Sequence, residues 1–263
     1  MSKPTHLEPS ELGTKEYWDN LYTTELSNHA HDPSDTGTVW FDDSDAEAKL
    51  VEFLSDLSLS PSLPSETTSF LDLGTGNGSL LFKLRDAGWQ GSMLGVDYSR
   101  QSVEFARRIA QSRSSSPSSL EEQPISFHEH DILRTTPTAL LTGAQSQGWD
   151  VVLDKGTFDA ISLSSETDAQ TGRRVGESYR ARIAPLVREG GLFLVTSCNW
   201  TEDELRGWFA GAAREDDDGE GEAMRGWRFE QVGRVRYPSF SFGGVKGQTI
   251  SSLCFRKVRN GES

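Results

Sequence analysis

Cysteine is nearly absent from this sequence: Cys198 and Cys254 are the only two among 263 residues. That excludes a disulfide-stapled scaffold and fits a reducing compartment. Both thiols lie in apolar runs and are expected to be buried and structural. Long hydrophobic runs are missing too; none approaches the roughly 20 apolar residues of a membrane-spanning helix, and Met1 to Leu12 has no apolar centre of a signal peptide. Positive charge is scarce, with 26 Lys and Arg against 40 Asp and Glu and a net charge of −14. A nucleic-acid-binding face needs clustered Lys and Arg, so nucleic acid is set aside as a partner. An acidic surface remains compatible with steering a basic protein. The expectation is a cytoplasmic protein, with the nucleus as the alternative, not bound to membranes.

The hydrophobic share is low, 35%, because three polar, biased stretches dilute it. They lie near 55–69 (Ser/Pro-rich, with Pro61 and Pro64), 111–123 (the Ser114 to Ser119 run) and 214–226 (acidic). Each sits between periodic segments and reads as a surface loop or disordered insertion. What remains suits one α/β domain: residues 51–263, preceded by a cap segment at 1–50.

The most informative stretch is Phe70-Leu71-Asp72-Leu73-Gly74-Thr75-Gly76-Asn77-Gly78. An apolar run ends in a glycine-rich turn, and a helical pattern (Leu80, Leu81, Leu84) follows. Glycines let the backbone turn sharply and approach a ligand without a Cβ in the way. A second apolar run, Met93 to Val96, closes on Asp97 about 20 residues on, where a carboxylate can accept from both hydroxyls of a ribose. The third glycine arrives one residue early for the dinucleotide fingerprint, and Asp72 before the turn repels pyrophosphate. A phosphate-free cation such as S-adenosylmethionine fits better than NAD. Tyr98 is grouped with this site, Asp131 is read as acceptor for the adenine amino group, and Ile132 as packing on the ring.

Further along, Ser102 to Ala110 reads as a helix with Val103, Ala106 and Ile109 on one face. Ile125 to Glu129 and Trp149 to Asp154 read as strands, and Arg173 to Arg188 as an amphipathic helix stopped by Gly190-Gly191. Leu192 to Val195 is a fifth strand, Glu202 to Ala213 a helix, and Arg228 to Arg236 and Thr249 to Arg256 two final strands with no helix between them. Seven strands, parallel except for a reversed C-terminal hairpin and with helices on both faces, make the Rossmann-like methyltransferase layout. In such sheets ligands sit at the strands' carboxyl ends, where Asp72, Asp97, Asp131 and Asp154 fall.

With these residues assembled, the chain resembles the eukaryotic elongation factor 1-alpha lysine methyltransferases, a family of small single-domain enzymes. The matching strings are Leu12 to Asp19, Asp35 to Phe41, Leu71 to Gly78, Asp154 to Ile161, Thr196 to Thr201 and Phe240 to Gly244. The glycine string is common to many methyltransferases, whereas the strings at Asp154 and at Cys198-Asn199-Trp200 are far more specific. The resemblance implies methyl transfer from S-adenosylmethionine to a lysine of elongation factor 1-alpha by a monomer. Thr157 stands three residues after Asp154, so the Asp-x-x-Tyr/Phe signature of another protein-lysine methyltransferase group is not present.

Aromatic faces attract both a sulfonium and an ammonium, which makes Trp18, Trp40, Phe41 and Trp200 candidates for the transfer channel. Asp154 is the candidate to orient the amine or meet the donor's ammonium. His29 with His31, and His128 with His130, are spaced two apart; in a strand His128 and His130 share one face, which can bind metal, but no Cys or further His accompanies them, so they read as polar surface positions and no metal is expected. Two other readings stay open: the same fold acting on a small molecule, and an NAD-dependent oxidoreductase. The latter needs a glycine at 79, where Ser79 stands.

Overall fold

Short apolar runs alternating with helical periods fold into two α/β units, Thr14–Asp131 and Met1–Gly13 with Ile132–Ser263. The computed structural model describes residues 5–58, 63–114, 123–212, 224–238, 240–242, 245–247 and 249–261.

The first unit runs α1 (Lys15–His31), α2 (Ala46–Ser58), β1 (Phe70–Leu73), α3 (Ser79–Asp86), β2 (Met93–Asp97), α4 (Arg100–Ser114) and β3 (Ser126–Glu129). β2 lies between β1 and β3, parallel to both, with Leu71 opposite Leu94 and Asp97 opposite Glu129. Every residue of β1 and β2 is buried, as expected for parallel strands covered on both faces. The expected stripes are the buried ones: Leu80, Leu81 and Leu84 on α3, and Val103, Ala106 and Ile109 on α4.

α1 packs along α4, and Thr14 caps it by accepting from the Tyr17 amide at 3.3 Å. Its inner face is Tyr22, Glu25 and His29, a helical spacing with little apolar content. His29 and His130 are both buried, which corrects their reading as surface positions. The cause is packing: the His29 ring meets Phe105 of α4 edge-on at 5.6 Å, and the His130 amide, just past β3, donates to Asp97 O at 2.8 Å.

The second unit runs β4 (Trp149–Lys155), α5 (Thr157–Ser162), α6 (Tyr179–Ile183), β5 (Val187–Ser197), α7 (Glu202–Phe209), β6 (Gly211–Ala212), β7 (Trp227–Val235), β8 (Phe240–Phe242), β9 (Val245–Gly247) and β10 (Ser251–Arg259). β4 and β5 are parallel. β10 lies antiparallel between β5 and β7, and β6 adds a two-residue rung to β7. The β8–β9 ribbon falls in the connection from β7 to β10. The strands therefore form the expected Rossmann-like methyltransferase pattern, mostly parallel with an antiparallel C-terminal hairpin; the short β6, β8 and β9 are additions to it.

Several boundaries differ from the sequence expectation. The helix expected over Arg173 to Arg188 is only α6, flanked by 3-10 turns at Val175–Ser178 and Ala184–Leu186. Pro185 lacks an N–H and its ring crowds the preceding turn, so the chain leaves helix there. β5 then starts at Val187 and passes through Gly190-Gly191, which the β4–β5 register accommodates with a bulge. α7 stops at Phe209 because Ala210 is extended and Gly211 takes a φ of 87°. α2 and α4 continue to Ser58 and Ser114, into stretches expected as loops; residues 59–62, 115–122 and 214–223 of the three insertions lie outside those described. Among the described residues no helix is long and apolar enough to cross a membrane.

Candidate active site

In the Thr14–Asp131 unit, the turn after β1 holds Gly74, Gly76 and Gly78 at φ values of 63°, 58° and 80°, the left-handed region that glycine enters without strain. Space demands glycine as well. A Cβ on Gly76 meets the Tyr22 hydroxyl at 2.7 Å, and one on Gly78 meets the Phe127 ring at 2.7 Å. Two carboxylates brace the turn. Asp72 accepts from the Thr75 hydroxyl at 2.8 Å. Asp97 accepts from the Gly76 amide at 3.1 Å and the Ser99 amide at 2.9 Å. Burial raises the Asp97 pKa, and the hydrogen bonds from Ser99, Ser102 and Gly76 oppose that rise. Asp131 is half-buried just past β3. The Tyr98 hydroxyl donates to Thr14 O at 3.4 Å, with the Lys15 ammonium 5.4 Å over its ring.

The N-terminal residues close around this turn. Asn77 Nδ2 donates to Thr36 O at 2.8 Å, while its Oδ1 accepts from the Ser79 amide at 3.1 Å. Tyr22 reaches Gly76 from α1; burial, then Asp97 and Glu25, push its phenol well above the ordinary value. Trp18 stacks near Tyr22 at 6.3 Å and meets Trp40 at 5.2 Å. Phe41 follows with a φ of 66°.

In the other unit, Asp154 is buried at the end of β4. It accepts from the Thr157 amide at 2.9 Å, the Phe158 amide at 3.1 Å and the Tyr179 hydroxyl at 2.6 Å. Burial pushes its pKa up to about 7, and the Tyr179 and backbone hydrogen bonds hold it from rising further. Asp159 accepts from the Ser197 hydroxyl and, at 2.8 Å, the Cys198 amide. Ser197 Oγ in turn accepts from the Asn199 and Trp200 amides at 3.1 and 2.9 Å. Trp200 is 3% exposed; its ring packs against Phe158 and Trp208, and its N–H donates to Ser162 at 3.2 Å. Ile132 is also buried. Cys254 is buried and its thiol pushed up to about 12. Cys198 is exposed, contrary to expectation, because β5 ends at Ser197 and the thiol lies beyond the sheet.

A family model described as a methyltransferase domain matches residues 64–230. Over 258 residues the chain is 40% identical to protein-lysine N-methyltransferase EFM4 of Saccharomyces cerevisiae, covering 98% of this chain and 99% of that protein. The chain belongs to this family of protein-lysine methyltransferases. EEF1A lysine methyltransferase 2 of Homo sapiens is 31% identical over 250 residues, 95% of this chain and 88% of that one. Among solved structures, magnesium protoporphyrin IX methyltransferase from Synechocystis shares the fold at a TM-score of 0.51 and 16% identity, covering 95% of this chain and 98% of that chain. The [4+2]-cyclase SpnF shares it at 0.54 and 13% identity, covering 99% and 100%.

As a methyltransferase the chain uses S-adenosylmethionine, and the residues of the glycine turn suit that cofactor. Gly76 and Gly78 let the turn pack directly under Tyr22 and Phe127, and the flanking buried groups Asp72 and Asp97 are acids, which favour a cation over pyrophosphate. Of the residues singled out in the sequence, Asp72, Gly74 to Gly78, Asp97, Tyr98 and Asp131 fall in one unit with Trp18, Trp40 and Phe41. Asp154, Trp200 and Ile132 belong to the other. Tyr22 went unnoticed in the sequence; its signal was the aromatic i, i+4 pair with Trp18 on a Thr-capped helix. Glu47, whose Oε1 accepts from Ser79 Oγ at 2.5 Å, had no local signal at all.

Proposed function

We propose that this methyltransferase modifies a lysine ε-amine of translation elongation factor 1-alpha. The observation that carries the acceptor is the nearly end-to-end correspondence with relatives named as protein-lysine and EEF1A lysine methyltransferases. Bound S-adenosylmethionine supplies an electrophilic methyl on a sulfonium. In this reading Asp97 accepts from the ribose hydroxyls, Asp72 and the Gly74 to Gly78 backbone take the amino-acid end, and Tyr98, Asp131 and Ile132 border the adenosine. Residues 14–50, in the same unit as the glycine turn, serve as a cap, with Trp18, Trp40 and Phe41 as aromatic walls.

The chemical task is to present a neutral amine. A lysine of pKa near 10.4 is neutral about one time in a thousand at pH 7.4, a handicap of roughly 4 kcal/mol. Excluding water from the site lowers that pKa by desolvating the ammonium, while the π faces hold and align the amine for in-line attack. Asp154 and Trp200 act through position. Asp154 has its lone pairs engaged by α5 and Tyr179, and so orders the chain after β4; Trp200 anchors the loop after β5 in the aromatic core.

Incubating the protein with labelled S-adenosylmethionine and purified elongation factor 1-alpha is expected to add methyl mass to a lysine-containing peptide of the factor. The Asp97→Asn variant is expected to lose affinity for S-adenosylhomocysteine by about tenfold or more, since a hydrogen bond to a charged group contributes about 1.5–3 kcal/mol. A factor left without added methyl mass overturns the acceptor. Wild-type affinity in Asp97→Asn overturns the ribose role.

A further inference from the structure

The segment joining α1 to α2 carries Trp40 and Phe41, and side chains of the glycine turn and α3 tie down both its ends. At the α1 end, Asn77 Nδ2 donates to Thr36 O at 2.8 Å. Glu25 receives the Thr38 amide at 3.1 Å and the Thr38 hydroxyl at 2.8 Å. At the α2 end, Ser79 Oγ donates to Glu47 Oε1 at 2.5 Å, and Lys83 Nζ lies 3.1 Å from Glu47 Oε2. Glu47 is only 2% exposed, so an otherwise unfavourable buried charge is held by partners from α3.

Between these ties the backbone passes through two left-handed non-glycine residues, Phe41 at φ 66° and Asp45 at φ 52°. A bulky aromatic residue holds that conformation only where its surroundings over-determine it, and such residues cluster at functional sites. The Ser44 amide donates to Phe41 O at 3.1 Å, and the Ala46 amide donates to the same oxygen at 3.3 Å. The strained turn is thereby joined directly to the first residue of α2, next to Glu47.

We propose that Glu47 is a positioning residue for methyl transfer: by fastening α2 to Ser79 and Lys83 it holds the Trp40–Phe41 turn in its strained form, so that the turn gripping the donor also sets the acceptor wall. This rests on the proposed function. Ser79 and Lys83, the α3 partners of Glu47, are not among the residues assigned to the donor, so the loss of Glu47 is expected to act on the acceptor step.

The test measures three quantities on the full chain: KM and kcat for elongation factor 1-alpha, S-adenosylhomocysteine affinity by calorimetry, and the thermal midpoint. Glu47→Ala is expected to keep donor affinity within about twofold while raising KM for the factor about tenfold, the scale of a small misplacement in the site. Glu47→Gln keeps an acceptor for Ser79 and is expected to restore most of that loss. Ser79→Ala removes an α3 partner of Glu47 while leaving both rings in place, and is expected to raise KM for the factor with donor affinity within about twofold of wild type.

An unchanged KM in Glu47→Ala overturns the proposal, as does a Glu47→Gln no better than Glu47→Ala, or donor affinity weakening in step with KM. If Glu47→Ala does not fold, Ser79→Ala decides, and wild-type KM for the factor in that folded variant is the overturning result. A wild-type chain that binds S-adenosylhomocysteine but leaves the factor unmodified removes the proposed acceptor and this proposal together. A wild-type chain that methylates, matched by Glu47→Ala, removes the role of Glu47 alone.

Discussion

Tyr179 and Asp154 show how one hydrogen bond governs a buried charge. Burial lifts the Asp154 pKa from 3.8 to about 7, against the pull of the Tyr179 hydroxyl and two α5 amides. Between those values the folded chain binds this proton more tightly than the unfolded chain does. The Asp154 contribution to stability therefore falls as pH rises from about 4 to about 7 and levels off above. Removing the hydroxyl in Tyr179→Phe takes away a donor that favours the ionised form. The variant is expected to lose about 1.5–3 kcal/mol at pH 8, where the carboxylate is charged, and less at pH 5. Urea unfolding at the two pH values checks this; equal losses at both speak against a charge-assisted bond.

Among the elements, α7 owes its start to local chemistry. Thr201 and Glu204 form a reciprocal capping box, with the Glu204 amide donating to Thr201 Oγ1 at 3.3 Å and the Thr201 amide donating to Glu204 at 2.9 Å. Three acids in the first turn suit the positive end of the helix, and α7 packs on β10. Thr201→Ala is expected to destabilise the protein by about 1 kcal/mol, whereas Thr201→Ser, which keeps the acceptor, stays close to wild type. The denaturation midpoints of the two variants, measured side by side, decide it. α6 is the opposite case. Its inward residues Tyr179 and Ile183, and Leu186 in the 3-10 turn beyond it, are buried as the periodicity requires, yet Pro185 breaks the helix that the same periodicity implies.

For the whole molecule the governing quantity is the net charge of −14. A field of that sign raises the rate of encounter with a basic protein and is screened by salt, with a Debye length near 10 Å at 0.1 M. KM for the protein acceptor is expected to rise about threefold between 50 and 200 mM salt, while affinity for S-adenosylhomocysteine, held at short range, stays nearly constant. Steady-state kinetics and calorimetry across a salt series measure both, and a KM insensitive to salt rules out long-range steering.

Features that depend on a few neighbouring residues were legible in the sequence alone. The left-handed glycines at 74, 76 and 78 answer to local backbone sterics, the strands ending in Asp97 and Asp154 to short apolar runs, and the reversed hairpin to two strands without a helix between them. Contacts that bring distant residues together were decided only by the tertiary structure. α1 buries Tyr22, Glu25 and His29, a face whose polarity conceals its burial until α4 and the glycine turn are in place. Glu47 meets Ser79 across 32 positions of chain, and nothing in its own neighbourhood marks it as buried. Asp154 reads as a strand-end carboxylate aimed at the amine or the donor's ammonium until Tyr179 arrives from 25 residues away. The physical reason is the same each time: periodicity and turn chemistry act over one or two turns of backbone, whereas burial, and with it the charge state of an acid, depends on which distant segment covers it.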